Sequence, residues 1–190
     1  MTLPIVQYGH PALRRKGARV EQITPAILKL IDEMFATMHE AAGVGLAAQQ
    51  VAQALQLTVI DVRAVKDRPS TLQLGGQAAD AEACMPLVLI NPEIKPFGEP
   101  ATGPEGCLSF PEIFADITRP EQVTVTALNR QGERIEFTAG GLLSRAIQHE
   151  YDHLQGILFI DRMSAKVRSG LQEELDALQQ ATKAALRPAG

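Results

Sequence analysis

The stretch Gln148-His149-Glu150-Tyr151-Asp152-His153 is the strongest local signal in the sequence. It lies in a helix that the pattern predicts from about residue 141 to 154. His149 and His153 are four residues apart, so their imidazoles stack on one helix face and can bind one metal ion. Glu150 follows the first histidine and is placed to take a proton from water at that metal. The stretch therefore predicts a hydrolytic metal site on a helix.

Such a site needs a third protein ligand and an open position for water, and the residues alone leave two sources for that ligand. In a zinc endopeptidase it is an acid further along the chain, which would be Glu173 or Glu174. Both lie opposite a leucine stripe, where a solvated helix face is expected. The other source is Cys107, in Glu105-Gly106-Cys107-Leu108-Ser109, whose thiolate suits zinc or ferrous iron.

The remaining pattern alternates helices with short strands. Thr24 and Pro25 are a cap and a first residue for a helix that runs to about Ala42, and a C-terminal helix begins near Ser164. Extended segments are predicted at residues 45–48, 57–62, 87–90, 123–128 and 134–138, the last two as a hairpin around Gln131-Gly132. The prediction is an α+β fold in which antiparallel strands pack around the central metal-binding helix, with an N-terminal and a C-terminal helix added. Residues 63–85 lack periodicity and are predicted to be a long surface loop.

Composition excludes several classes of protein. The 190 residues carry 18 Lys+Arg against 22 Asp+Glu, for a net charge of −4, which argues against general or sequence-specific binding to nucleic acid. No run of about 18 apolar residues predicts a membrane span. Two cysteines cannot staple a secreted mini-domain, and the first residues do not read as a signal peptide. We therefore expect a cytoplasmic protein without membrane contact.

Three stretches, in this order, resemble the bacterial peptide deformylases: Gly-Val-Gly-Leu-Ala-Ala-Gln-Gln at 43–50, Glu-Gly-Cys-Leu-Ser at 105–109 and Gln-His-Glu-Tyr-Asp-His-Leu at 148–154. The opening Ile5-Val6-Gln7-Tyr8 also resembles the start of that family. The resemblance implies a metal-dependent hydrolase that removes the formyl group from the N-terminal formyl-methionine of newly made peptides and releases formate. It favours this activity over the zinc endopeptidase alternative.

The resemblance also implies a set of chemical roles for residues of this chain. Cys107, His149 and His153 would hold one divalent metal, ferrous iron in the first place, with zinc or nickel as substitutes. Glu150 would be the general acid and base. The side chain of Gln50 and the backbone N–H of Leu108 would bind the oxyanion.

The methionine side chain would enter an apolar pocket, for which the resemblance implies Val44, Gly45, Leu142 and Ala146. Arg145 stands between the last two, where the family usually places a less polar residue, and we expect it to point to solvent. The implied partners are formyl-methionyl nascent peptides. The C-terminal helix carries four basic residues, which are Lys166, Arg168, Lys183 and Arg187. They have two interpretations, a transient contact with the ribosome or a solvated helix face. We expect residues 1–165 to form the catalytic domain and residues 166–190 a C-terminal helix and tail.

Overall fold

A computed structural model describes residues 1–187. Its four α-helices are α1 (Pro25–Glu40), α2 (Gly141–Leu154), α3 (Ala165–Gly170) and α4 (Gln172–Ala185). Its seven strands are β1 (Gly45–Ala47), β2 (Leu57–Ile60), β3 (Ser70–Leu74), β4 (Gln77–Ala79), β5 (Leu87–Cys107), β6 (Phe110–Leu128) and β7 (Arg134–Gly140). Short 3₁₀ helices span Pro11–Arg14, Ala48–Val51 and Phe159–Asp161. No helix in this described part is long and apolar enough to span a bilayer.

The strands form one antiparallel sheet in the order β1-β2-β5-β6-β7-β3-β4. Helix α2 packs against strands from both ends of this order, among them β1, β2, β6 and β7. Nearly all its side chains are buried, the polar Gln148, His149 and Glu150 included. A buried helix with polar side chains needs partners for them, and the sheet supplies many of these. The predicted α+β fold with a central helix is confirmed.

Helix α1 begins where its sequence predicts. The Thr24 side chain accepts a hydrogen bond from the N–H of Ile27, and Pro25 occupies the first helical position. Its apolar stripe includes Ile31, Met34 and Met38, which are fully buried against β1 and β2. This packing fixes the chain just before β1, where the first of the three sequence stretches begins.

The strand predicted at 87–90 is much longer than its pattern indicated. It runs as β5 from Leu87 to Cys107 through Pro92, Pro96, Pro100 and Pro104. After Ile90 it pairs only with β6, so its other edge carries no strand among the described residues. An unpaired edge tolerates proline, which has no N–H to donate, and the prolines therefore do not end the strand. Because proline usually ends a strand, the sequence pattern predicted only the first four residues of β5.

The segment 63–85 is not a featureless loop, and that prediction was wrong. It contains the hairpin of β3 and β4, which turns at Gly75-Gly76, both with positive φ. Strand β3 also pairs with β7, and Leu72 is buried in the core beneath. The hairpin extends the main sheet and holds the ends of the segment in place. The predicted C-terminal helix is also divided, with α3 and α4 meeting at Leu171.

Candidate active site

Cys107, His149 and His153 come together at the centre of the molecule. Cys107 ends β5, and both histidines project from α2, with their rings edge to face at 5.1 Å. The ligand atoms of all three lie within 4.8 Å of one another, and Cys107 Sγ is 3.3 Å from His153 Nε2. A thiolate with two imidazoles is a donor set that suits zinc or ferrous iron. The arrangement therefore fits a divalent metal ion.

A carboxylate fixes the orientation of His149. Its Nδ1 lies 3.0 Å from Glu105 Oε2, so its other ring nitrogen is left for the metal site. Burial disfavours the charged imidazole, but the nearby Cys107 and Glu105 outweigh it and raise the pKa of His149 well above its ordinary value. Burial, reinforced by the charge of His149, lowers the pKa of His153 well below its ordinary value.

Glu105 is held by two arginines as well as by His149. Arg119 reaches both of its oxygens, at 2.6 and 3.0 Å, and Arg145 reaches one at 2.8 Å. Arg119 also donates to Asp152, at 2.9 Å, the residue that precedes His153. Burial raises the pKa of Glu105, but hydrogen bonds from His149 and Arg119 outweigh it and hold that pKa well below its usual range. Glu105 is therefore an ionised carboxylate with a full set of partners.

Glu150 has the opposite surroundings. It is 4% exposed, and its Oε2 has no hydrogen-bond partner among the described residues. Burial raises the pKa of Glu150 to about 7, the range in which a group both accepts and returns a proton at neutral pH. A β-carbon at position 45 would overlap this carboxylate, so Gly45 leaves the space that the carboxylate occupies.

Gln50 presents its amide N–H₂ to the metal site. Its Oε1 accepts a hydrogen bond from the N–H of Ala47 at 2.9 Å, which assigns the Nε2 group to the other side. Nε2 lies 3.6 Å from Cys107 Sγ and 3.3 Å from the Ser109 hydroxyl. The backbone N–H of Ala47, the last residue of β1, thus holds the Gln50 side chain so that its Nε2 donor lies at the site.

A cleft of about 570 Å³ opens from this site to the surface. All the predicted oxyanion and pocket residues line it: Val44, Gly45, Gln50, Leu108, Leu142 and Ala146. Glu105, Val65, Arg68 and Phe110 also line it, and no motif of the sequence assigned them a role. The position of Glu105 inside the cysteine stretch was the one signal that could have singled it out.

The zinc endopeptidase alternative fails on geometry. Glu173 and Glu174 lie exposed in the first turn of α4. Within residues 1–187, the group of His, Cys, Asp or Glu atoms arranged to hold a metal is Cys107, His149 and His153, without either glutamate. The third donor beside the histidines is the cysteine.

Comparison with known proteins agrees with this geometry. A family model described as polypeptide deformylase matches residues 2–169. The chain belongs to the peptide deformylase family. A peptide deformylase of Opitutus terrae is 44% identical over 189 residues, which are 98% of each chain. One of Methylacidiphilum infernorum is 45% identical over 94% of each chain. Among solved structures, a plant peptide deformylase superposes with a TM-score of 0.83 at 37% identity, over 97% of this chain and 92% of that one.

The family membership decides between the two enzymes that the sequence left open. This deformylase is a metal-dependent hydrolase, and the endopeptidase alternative is set aside. The relatives are aligned over nearly their whole length, so the match covers the cleft, the central helix and the sheet together.

Proposed function

We propose that this deformylase hydrolyses the formamide of N-formyl-methionyl peptides, releasing formate and a free amino terminus. The observation that carries the proposal is the buried carboxylate of Glu150, whose Oε2 has no hydrogen-bond partner among the described residues, beside the Cys107, His149 and His153 donors and in the lining of an open cleft. The family membership supports the choice of substrate.

Cys107, His149 and His153 would hold the metal. A divalent cation bound there supplies Lewis acidity, which makes water a better nucleophile at neutral pH and polarises a carbonyl. We propose ferrous iron in the cell, with zinc or nickel as substitutes; a thiolate beside two imidazoles is a donor set that suits each of these metals. Glu105 supports the site by holding His149 in one orientation and tautomer.

Glu150 would accept a proton from the attacking water as that water adds to the formyl carbon. The C–N bond then breaks, and Glu150 returns the proton to the leaving amine. Gln50 Nε2 and the backbone N–H of Leu108 would donate to the carbonyl oxygen as negative charge develops on it. Loss of one such donor costs about 10²–10³ in rate.

The substrate's methionine would occupy the part of the cleft lined by Val44, Leu142 and Ala146. Gly45 lines the same cleft, and its missing side chain leaves the space that the Glu150 carboxylate occupies.

We also propose a cellular setting and a division of the chain. Residues 1–165 form the catalytic domain and 166–190 an appended helix and tail, of which 188–190 lie outside the described residues; the family match at 2–169 supports this boundary. The exposed Lys166, Lys183 and Arg187 support a transient, salt-sensitive ribosome contact. Cys84 and Cys107 are both free thiols, which supports a cytoplasmic location.

The test is formate release from a short formyl-methionyl peptide by protein prepared without oxygen and loaded with ferrous iron. Glu150→Gln keeps the shape of the side chain but cannot take the proton, and we expect its release rate to fall by about 10³-fold. Glu174→Gln, at an exposed position, is the matched control and should equal the parent. No release by the folded, metal-loaded parent would refute the proposal, and a normal rate for Glu150→Gln would refute the role of Glu150.

A further inference from the structure

Arg145 occupies an unexpected place, inside the cleft and not in solvent. Its side chain is 11% exposed, and it projects from α2 between the pocket residues Leu142 and Ala146. The guanidinium packs against Gly103, where a β-carbon would touch it at ordinary contact distance. Arg145 therefore belongs to the lining of the cleft in which we propose that the substrate binds.

The hydrogen bonds of Arg145 leave part of its donor capacity unused. Nη1 donates to Glu105 Oε1 and to the carbonyl of Ile117, both at 2.8 Å. Nη2 donates to the carbonyl of Ala101, also at 2.8 Å. A guanidinium has five N–H donors, and these bonds use three. Nε has no partner among the described residues, yet it is not among the buried atoms left without one, so it remains accessible.

We infer that Arg145 lets this deformylase accept N-formyl-methionine sulfoxide as well as N-formyl-methionine at the amino terminus of its substrates. The inference rests on the proposed function and extends its substrate class. Oxidation turns the thioether, a weak acceptor, into a strongly polar sulfoxide oxygen. A wholly apolar pocket would strip that oxygen of water without replacing the hydrogen bond. One of the two free N–H groups of Arg145, whose guanidinium the other three bonds hold in place, supplies the replacement.

The strength of a hydrogen bond from Arg145 to the sulfoxide oxygen sets the expected change in kcat/KM. A hydrogen bond that involves a charged group contributes about 1.5–3 kcal/mol, which corresponds to about ten- to a hundredfold in kcat/KM. The thioether substrate gains little from the same N–H, because sulfur is a weak acceptor. Removing Arg145 should therefore lower kcat/KM for the sulfoxide substrate much more than kcat/KM for the thioether substrate. The ratio of the two values separates this effect from a general structural loss.

The experiment compares kcat/KM for formyl-methionyl-alanyl peptide and for each epimer of its sulfoxide, in the iron-loaded parent, in Arg145→Leu and in Arg145→Lys. Lysine keeps the positive charge beside Glu105, but its three donors match the three existing acceptors and leave none for substrate. It also provides the test should the leucine variant not fold. Arg134→Leu, at a position 71% exposed and outside the cleft, is the control.

We expect the parent to hydrolyse at least one sulfoxide epimer within about tenfold of the thioether. In both Arg145 variants the sulfoxide-to-thioether ratio should fall by about ten- to a hundredfold, while Arg134→Leu keeps the parent ratio. A purely structural Arg145 would lower both activities alike. An unchanged ratio in the variants would overturn the inference, as would a parent that cleaves the thioether peptide and neither epimer. A parent that cleaves no formyl peptide would refute the proposed function itself.

Discussion

Two buried glutamates flank His149, and they differ in their hydrogen-bond partners. Glu105 contacts two arginines and the imidazole, and its pKa lies well below the usual range. Glu150 has an oxygen without a partner, and burial raises its pKa to about 7. The same residue type is thus held permanently charged on one side and left free to gain and lose a proton on the other. Partners within hydrogen-bond distance decide which occurs.

This difference predicts that Glu105 contributes mainly to the stability of the fold and Glu150 mainly to the rate of hydrolysis. A carboxylate with its partners contributes to folding, and its removal leaves buried cations uncompensated. A carboxylate without partners opposes folding and is kept for its chemistry. Substitutions at the two positions should therefore separate the free energy of unfolding from the rate of hydrolysis.

The largest effect on stability is expected for Glu105→Gln. It leaves Arg119, 5% exposed, and Arg145 without their shared anion, and breaking a buried ion pair costs about 3–5 kcal/mol. Urea unfolding measures this cost. Glu150→Gln is the matched comparison, and its free energy of unfolding should stay the same or rise, because the uncharged amide is easier to bury than a carboxylate with an unpaired oxygen. Equal losses at the two positions would show that burial, and not the partners, sets their contribution.

The second prediction tests the space around Glu150. Gly45→Ala places a β-carbon where the carboxylate now lies, so the carboxylate must move. A displacement of about 1 Å at a catalytic group costs on the order of 10²-fold in rate. We expect kcat/KM for the formyl peptide to fall by that amount, with unfolding by urea showing a cost of about 1–3 kcal/mol for the overpacking.

Gly170→Ala is the control for this substitution, because a β-carbon at that position would meet no described atom within 4 Å apart from its chain neighbours and its own helix backbone. Its activity should equal that of the parent. If Gly45→Ala also kept full activity, Glu150 would not need its present position, and the role proposed for it would have to be abandoned.

The sequence predicted the histidines because both lie on one helix, where a spacing of four residues fixes their geometry. It did not by itself choose between Cys107 and the glutamates of α4, since that choice depends on which strand end meets α2. Only the family resemblance favoured the cysteine, and the structure places the cysteine with the histidines. Local periodicity determines contacts within an element, and not contacts between distant elements.

The network behind the site illustrates that limit. Glu105, Arg119, Arg145 and Asp152 come from β5, β6 and α2, and no fixed spacing connects them. A lone arginine on a helix is ordinarily expected in solvent, which is why the expectation for Arg145 was wrong. Its burial depends on an anion 40 positions earlier and on one backbone carbonyl from each of the strands β5 and β6. The β3–β4 hairpin escaped prediction in a similar way, since its pairing with β7 involves residues far along the chain.

The smallest effect concerns a third buried carboxylate, that of Asp61, which has partners as Glu105 does, although these partners are partly exposed to solvent. Asp61 is 6% exposed, but its partners Arg63 and His39 are about half exposed. Hydrogen bonds from Arg63 lower the pKa of Asp61 to about 2, against an ordinary value near 4. Ionised Asp61 therefore stabilises the folded chain above about pH 4, and this contribution disappears as the pH falls from about 4 to about 2.

Asp61→Asn should accordingly lower the free energy of unfolding by about 1 kcal/mol at pH 7, a modest value because solvent screens the exposed partners. The difference between parent and variant should shrink when urea unfolding is repeated at pH 3. A difference that stayed constant with pH would mean that the asparagine acts through lost packing or hydrogen-bond geometry. In that case the charge of Asp61 would contribute nothing, and the contrast between paired and unpaired carboxylates would hold only for fully enclosed groups such as Glu105.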